Sequence, residues 1–406
     1  MPDFAHATLD NGLDIIAEVE PNAESAAVGF FVRTGARDEQ SEVMGVSHFL
    51  EHMMFKGTAA RTAEQVNLEF DTMGAQYNAY TSNELTCFFA SVLPDMLPRA
   101  SALLADILRP ALRDDDFTTE KNVILEEIAM YNDVPFSNLY ETAMERHYAA
   151  HPLAHRVLGT TDTVSAMTSR QMRDYFDVRY SPDNMVVALS GSVEFDREVE
   201  RLAELCSGWA RTGAKRDHGE PIASGEQFEL RDERVNRSYL LMITPAPAYD
   251  DDRRYAATLL ARLLGDQDNS RLHWALIEKG LAEEAAAEFD GRDRSGDYYV
   301  YASCDPKRID LVQSILNEEI AMLGQSITEA DLDRLRQKLL TQITLGGERP
   351  GGRMQRLGRD WTYLRSHRTL EHELELIQAV TLDDLRSLLQ AFPFEPRTVG
   401  RLLPAE

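Results

Sequence analysis

The chain has 406 residues, 43% of them hydrophobic and 27% charged, which excludes a disordered polymer and exceeds one ordinary core. Its 42 basic and 68 acidic residues leave a formal net charge of -26, which argues against nucleic acid or an anionic membrane as partner. A solvated acidic surface accounts for that charge; a preference for basic peptides is the alternative.

Cys87, Cys206 and Cys304 lie far apart, are odd in number and form no C-x-x-C pair. This argues against a disulfide framework or a cysteine-based zinc site. Residues 1–6 (MPDFAH) begin no basic-then-apolar leader, and no apolar run is long enough to span a bilayer. The expectation is a soluble, cytoplasmic protein.

In chain order, Asn11-Gly12 signals a turn between short extended runs, and residues 26–34 (AAVGFFVRT) read as a core strand. Residues 45–55 carry apolar residues at helical spacing and contain His48-Phe49-Leu50-Glu51-His52. Helix residues four apart stand one above the other, so both imidazoles leave one face, with Glu51 close to it. Two such histidines supply two corners of a tetrahedral zinc site. A carboxylate beside them that stays off the metal can take a proton from zinc-bound water. The pattern is the inverted form of the commoner zinc-protease motif. An amphipathic helix with surface His and Glu is the plain alternative.

Gly57-Thr58 ends this helix, Thr62 caps a second one through about Met73, and Gly74 stops it. Asn78, Ala79, Tyr80 and Thr81 form a short extended piece, and residues 88–93 a strand; together they suit a hairpin. A strand near a zinc helix is a natural place for a peptide to pair through its backbone, although plain sheet structure explains it equally. Residues 95–108 read as an amphipathic helix ending before Pro110. Residues 116–132 form another, opening with acidic residues as the helix dipole favours. It carries Glu120, Glu126 and Glu127. Residues seven apart share a face, so Glu120 and Glu127 point the same way. Glu127 is a candidate third ligand and Glu120 a candidate support for a histidine. Spacing alone does not choose between Glu126 and Glu127, and a solvated acidic face is the plain reading.

His147, His151 and His155 form a rival cluster at four-residue spacing. Pro152 ends the helix near His151 and takes His155 off the face. Helices follow at 168–178 and 196–205, with a buried strand at 185–190. Residues 211–225 (RTGAKRDHGEPIASG) form the expected linker between domains 1–210 and 226–406. The second half repeats the order: strands at 238–244, 283–289, 298–304 and 398–403, helices at 253–264, 270–279, 307–323 and 328–345, and more helix beyond. Residues 346–352 (GGERPGG) lack the ending of a phosphate loop and read as a helix break. The whole suggests two copies of one α+β unit.

Four segments resemble the pitrilysin-like zinc peptidases, closest to the mitochondrial processing peptidase and its short bacterial relatives. They are residues 45–58 (GVSHFLEHMMFKGT), 78–86 (NAYTSNELT), 120–127 (EKNVILEE) and 151–160 (HPLAHRVLGT). The resemblance implies two similar α+β domains, each a mostly antiparallel sheet packed by helices, forming half of a clamshell chamber. It implies Zn2+ on His48, His52 and Glu127, with Glu51 as general base and Glu120 as the supporting acid. It places substrate backbone on Asn78, Ala79, Tyr80 and Thr81. The implied activity is that of a zinc endopeptidase on peptides or unfolded segments, working as a homodimer or with a related chain. One departure stands out. The family's R-x-K-R-G-L-A-Y segment corresponds to residues 276–283 (LIEKGLAE), with Leu276 for the arginine and Glu283 for the tyrosine. The alternative is therefore a weakly active or non-catalytic subunit whose partner supplies those groups.

Overall fold

The computed structural model describes residues 2–216, 219 and 221–405. Asp217, His218 and Glu220, within the expected linker, lie outside the described residues, as do Met1 and Glu406. The chain packs as two α+β units that do not follow a single cut in the sequence. The first takes Met1–Ala129, His155–Asp217 and Thr344–Arg368; the second takes Met130–Ala154, His218–Ile343 and Thr369–Glu406. The change near residue 217 falls inside the expected 211–225 boundary, but each unit also holds a helix from the other half of the chain.

The first unit is built on β1 (Asp3–Thr8), β2 (Asp14–Val19), β3 (Ala26–Val32), β4 (Gln76–Thr81), β5 (Thr86–Val92) and β6 (Met185–Gly191), ordered β1-β2-β6-β3-β5-β4. Neighbours are antiparallel except β2 with β6. The central strand β3 is an unbroken apolar run because both its faces are covered. Ala26, Val28, Phe30 and Val32 join one core. Ala27 and Phe31 join another, with Met354, Leu357 and Trp361 of the helix Pro350–Leu364. That helix lies so close that a Cβ on Gly358 would sit 2.1 Å from the Phe31 ring.

On the opposite face lie α1 (Val46–Met54), α2 (Ala63–Thr72), α3 (Leu97–Ile107) and the start of α4 (Asp114–Asn132). Val46, Phe49, Leu50 and Met53, at i, i+3, i+4 and i+7, are the buried stripe of α1. Thr62 caps α2 by accepting the Gln65 N–H, as its sequence predicts.

The second unit repeats this topology. Its strands are β7 (Gln227–Asp232), β8 (Ser238–Pro245), β9 (Glu284–Arg292), β10 (Ser295–Cys304) and β11 (Thr398–Pro404), ordered β7-β11-β8-β10-β9. Replacing β2 through β6 with β7 through β11 reproduces the first sheet's order, including one parallel pair, here β7 with β11. The suspected repeat is thus one of topology. The helix Pro135–Tyr148 covers one face through Leu139, Ala143, Met144 and Tyr148. Arg254–Gly265 and Ile309–Ser326 contribute to the core on the other.

Three expectations change. The helix expected at 270–279 is present but shorter, and it is a π-helix over His273–Ile277. The strands near 283 and 298 extend into a tight hairpin whose turn holds Arg294 at φ 61°. β7 carried no clear sequence signal: it is half-exposed throughout and rich in polar residues. The break read at 346–352 falls between the helices Glu329–Gly347 and Pro350–Leu364. Among the described residues no helix is long and apolar enough to cross a membrane.

Candidate metal centre

The buried stripe of α1 leaves His48, Glu51 and His52 turned toward α4. Phe49 stacks on Phe117 at 4.8 Å between ring centroids, which brings α4 alongside α1. Phe117, Glu120, Ile124 and Ile128 are the buried residues of α4, so its inner face also presents Glu127 toward the histidines while Glu126 stays exposed.

His48 Nε2 lies 3.8 Å and His52 Nε2 3.7 Å from Glu127 Oε2. Among the described residues, His48, His52 and Glu127 are the one group of three or more His, Cys, Asp or Glu whose donor atoms could share an ion; those atoms lie within 4.8 Å of one another. Ligands about 2.1 Å from a tetrahedral zinc are about 3.4 Å apart, so small side-chain adjustments would close this group on an ion. Two imidazoles and one carboxylate also match the donor chemistry of zinc.

The protonation pattern agrees. Burial, assisted by neighbouring His52, pushes His48 down to about 3, so its imidazole is neutral, the form that binds metal. Burial also works against charge on His52. The Glu120 hydrogen bond and the charges of Glu120, Glu127 and Glu51 outweigh it and raise His52. Glu120 is buried yet held below the usual carboxylate range by His52 and Lys56. It therefore accepts the His52 Nδ1–H at 2.8 Å, leaving Nε2 to face Glu127.

Glu51 stands outside the donor group. Its Oε2 accepts the Thr81 hydroxyl at 2.6 Å. Burial raises its carboxyl above the ordinary value, with Thr81 and His52 pulling the other way and Glu127 adding repulsion.

Asn78, Ala79, Tyr80 and Thr81 lie on β4, the edge strand of the first sheet. Side chains alternate across it: Thr81 turns to α1, whereas the Tyr80 hydroxyl donates to Gln355 Oε1 at 3.0 Å on the other face. The Ala79 N–H is taken by the Asn78 side-chain oxygen at 2.9 Å.

The rival histidines do not converge. The helix that holds His147 ends at Tyr148. His147 Nδ1 meets Thr398 Oγ1 at 2.9 Å, His151 Nε2 meets the Gly219 carbonyl at 2.9 Å, and His155 Nδ1 meets the Ala36 carbonyl at 3.0 Å. Leu276 is buried in the second unit's core, and Glu283 pairs with Arg237 at 3.2 Å.

Sequence reasoning missed Lys56, whose Nζ lies 2.5 Å from Glu120 Oε2. Its position four residues after His52 was the available signal. It also missed Glu39, which receives the Gly45 N–H at 2.7 Å and the Ser47 N–H at 2.8 Å at the start of α1. No local pattern marks that contact.

Two family descriptions cover most of the chain. Insulinase (Peptidase family M16) matches residues 14–161, and Peptidase M16 inactive domain matches residues 166–339. A protein of Mycobacterium leprae named an uncharacterized zinc protease is 35% identical over 94% of this chain and 87% of its own length. The chain belongs to peptidase family M16. Another M16 relative, the Bacillus subtilis protein YmxG, also named an uncharacterized zinc protease, is 28% identical over 98% of both chains. Among solved structures, a protease from Helicobacter pylori matches with a TM-score of 0.93 at 21% identity, covering 99% of this chain and 100% of that one. A chain of complex III2 from Candida albicans matches at 0.84 and 19% identity, covering 98% and 95%. At such identities the likeness shows a shared fold alone. The M16 description that names an inactive domain falls largely on the half without H-x-x-E-H.

Proposed function

We propose that this M16 chain is a zinc-dependent endopeptidase acting on peptides or unfolded polypeptide segments. The observation that carries this reading is the donor group of His48, His52 and Glu127, with Glu51 beside it but outside it. His48 and His52 would hold Zn2+ through Nε2, and Glu127 through its carboxylate. The ion, when bound, would polarise the scissile carbonyl and acidify water. Glu51 takes a proton from the attacking water and delivers it to the leaving amine. Burial raises its carboxyl, the direction that a general base working near neutrality requires. Glu120 fixes the tautomer and direction of His52.

The substrate backbone adds to the outer edge of β4 along Asn78, Ala79, Tyr80 and Thr81, which the edge position of that strand supports. The protein works with a second chain, either a copy of itself or a related one. Its three cysteines are free and buried, which suits a reducing compartment such as the cytoplasm.

One observation favours a second reading. Leu276 is buried and Glu283 is engaged with Arg237, so this chain lacks the Arg/Tyr pair at those positions. The second reading is a weakly active subunit whose partner supplies the pair. Cleavage of a quenched-fluorescent peptide library, with chelator and with zinc restored, tests the choice. The peptidase reading expects cleavage that chelator abolishes and zinc restores. A zinc-loaded chain that cuts nothing until a partner is added favours the second.

A further inference from the structure

Thr81 was expected to contact substrate, yet its side chain faces the general base. It ends β4, and its hydroxyl lies 2.6 Å from Glu51 Oε2. The direction of this bond follows from counting protons. Thr81 has one hydroxyl proton, and an ionised carboxylate only accepts. Its other close hydroxyl is that of Thr86, 3.5 Å away. The Thr86 proton is committed to the Thr34 carbonyl at 2.9 Å. Thr86 can therefore only accept from Thr81, at 3.5 Å, and the Thr81 proton goes to the much closer Glu51 Oε2 at 2.6 Å.

Both ends of this bond are anchored. The turn after Thr81 is closed by Ser82 N–H to Leu85 O at 2.9 Å. Ala36 N–H bonds Ser82 O at 3.2 Å and Arg37 N–H bonds Asn83 O at 2.8 Å, which ties the turn to the loop before α1. Arg37 Nη1 also meets Glu84 at 2.5 Å in a buried ion pair. The same loop ends in Glu39, whose two oxygens receive the Gly45 and Ser47 N–H groups that start α1. From there α1 leads back to Glu51. Strand end, turn, loop and helix form a closed ring, and the Thr81–Glu51 bond is its last link.

Resting on the peptidase reading above, we propose that Thr81 is a positioning residue for Glu51. It engages Oε2 and so leaves Oε1 as the oxygen that handles the transferred proton. In the reaction, water loses a proton to Oε1 while its oxygen bonds the scissile carbon. The C–N bond then breaks as Oε1 returns that proton to the amine nitrogen. A carboxylate free to rotate would offer either oxygen and lose part of its productive orientation. The role differs from substrate binding, because the side chain faces α1 and not the strand edge.

The test compares wild type with Thr81→Val, which keeps the shape without the hydroxyl, and Thr81→Ser, which restores it. Glu51→Gln serves as reference. Two readouts are taken: steady-state cleavage of a quenched-fluorescent peptide by the zinc-loaded proteins, and crystal structures of the metal-free proteins, read for the orientation of the Glu51 carboxylate. Zinc content and thermal midpoint should stay at wild-type values in both Thr81 variants. The proposal expects kcat to fall about 10–100-fold in Thr81→Val, with KM unchanged and most of kcat regained in Thr81→Ser. It also expects one Glu51 orientation in wild type and Thr81→Ser and a rotated or split carboxylate in Thr81→Val, because the bond that holds Oε2 is lost and regained. An unmoved carboxylate overturns it, as does an unchanged kcat or a rise in KM alone. If wild type cuts nothing while the carboxylate moves as stated, the Thr81–Glu51 link stands and the peptidase reading falls.

Discussion

Glu120 receives the Nδ1–H of His52 at 2.8 Å, from a helix 68 residues further along the chain. The bond does two things at once. It fixes which ring nitrogen carries the proton, and it makes the other a better donor to a metal. Glu120→Gln should lower zinc affinity about 10-fold and Glu120→Ala about 100-fold, at the two ends of the range for such supports. Competition with a chelating dye measures both.

Gly45 begins α1 in the left-handed region, at φ 94°. A Cβ there would lie 2.6 Å from the Leu158 carbonyl oxygen. Gly45→Ala combines backbone strain with that collision, and should cost about 2–3 kcal/mol. Since α1 must shift to relieve it, zinc affinity should fall as well. Urea unfolding and chelator competition on one preparation check the two effects together.

The first of these relationships was partly legible in the sequence, and the reason is local periodicity. His48, Glu51 and His52 share one side of a helix whose apolar residues Val46, Phe49, Leu50 and Met53 mark the other. Spacing likewise put Glu120 and Glu127 on one face of α4, but it could not say which face meets α1. That depends on Phe49 stacking on Phe117, a contact between residues far apart in the chain. The choice of Glu127 over Glu126 therefore came from resemblance; in the fold Glu126 is exposed and Glu127 half-buried. Glu39 and the Arg37–Glu84 pair were invisible for the same reason: their partners are distant and no period marks them. Of Pro135–Tyr148 and Pro350–Leu364, only a helix ending near His151 and more helix beyond residue 345 were legible, and an apolar stripe does not reveal which sheet it will cover.

The second unit should show an acid-sensitive stability of its own. Asp297 is fully buried, and burial alone would raise its carboxyl. Arg292 and His147, with the Tyr148 hydroxyl, override this and hold it at about 2. Its folded value lies below its unfolded one. Its contribution is therefore present above about pH 4 and lost as pH falls toward 2, on the order of 2 kcal/mol. Urea midpoints measured from pH 6 to pH 2.5 should fall across that window. Asp297→Asn should be less stable than wild type at pH 7, because Arg292 loses its buried anion, and should show a flatter fall below pH 4.

The buried Arg37–Glu84 pair should be costly to break from one side. Tyr363 also donates to Glu84, at 3.0 Å. Glu84→Ala should destabilise the first unit by about 3–5 kcal/mol, the usual penalty for stranding a buried partner. Glu84→Gln, which keeps an acceptor for Tyr363, should cost less. Denaturant midpoints for the two variants give the order.

The most direct measurement is zinc content and peptide cleavage for wild type and Glu51→Gln, purified side by side. Both should hold about one zinc per chain, as a single site of this kind does. Wild type should cut peptide, and Glu51→Gln should lose about 100-fold or more, the share that a general base supplies. Wild type that binds no zinc, or Glu51→Gln that cuts as fast as wild type, would contradict the roles given to His48, Glu51, His52 and Glu127.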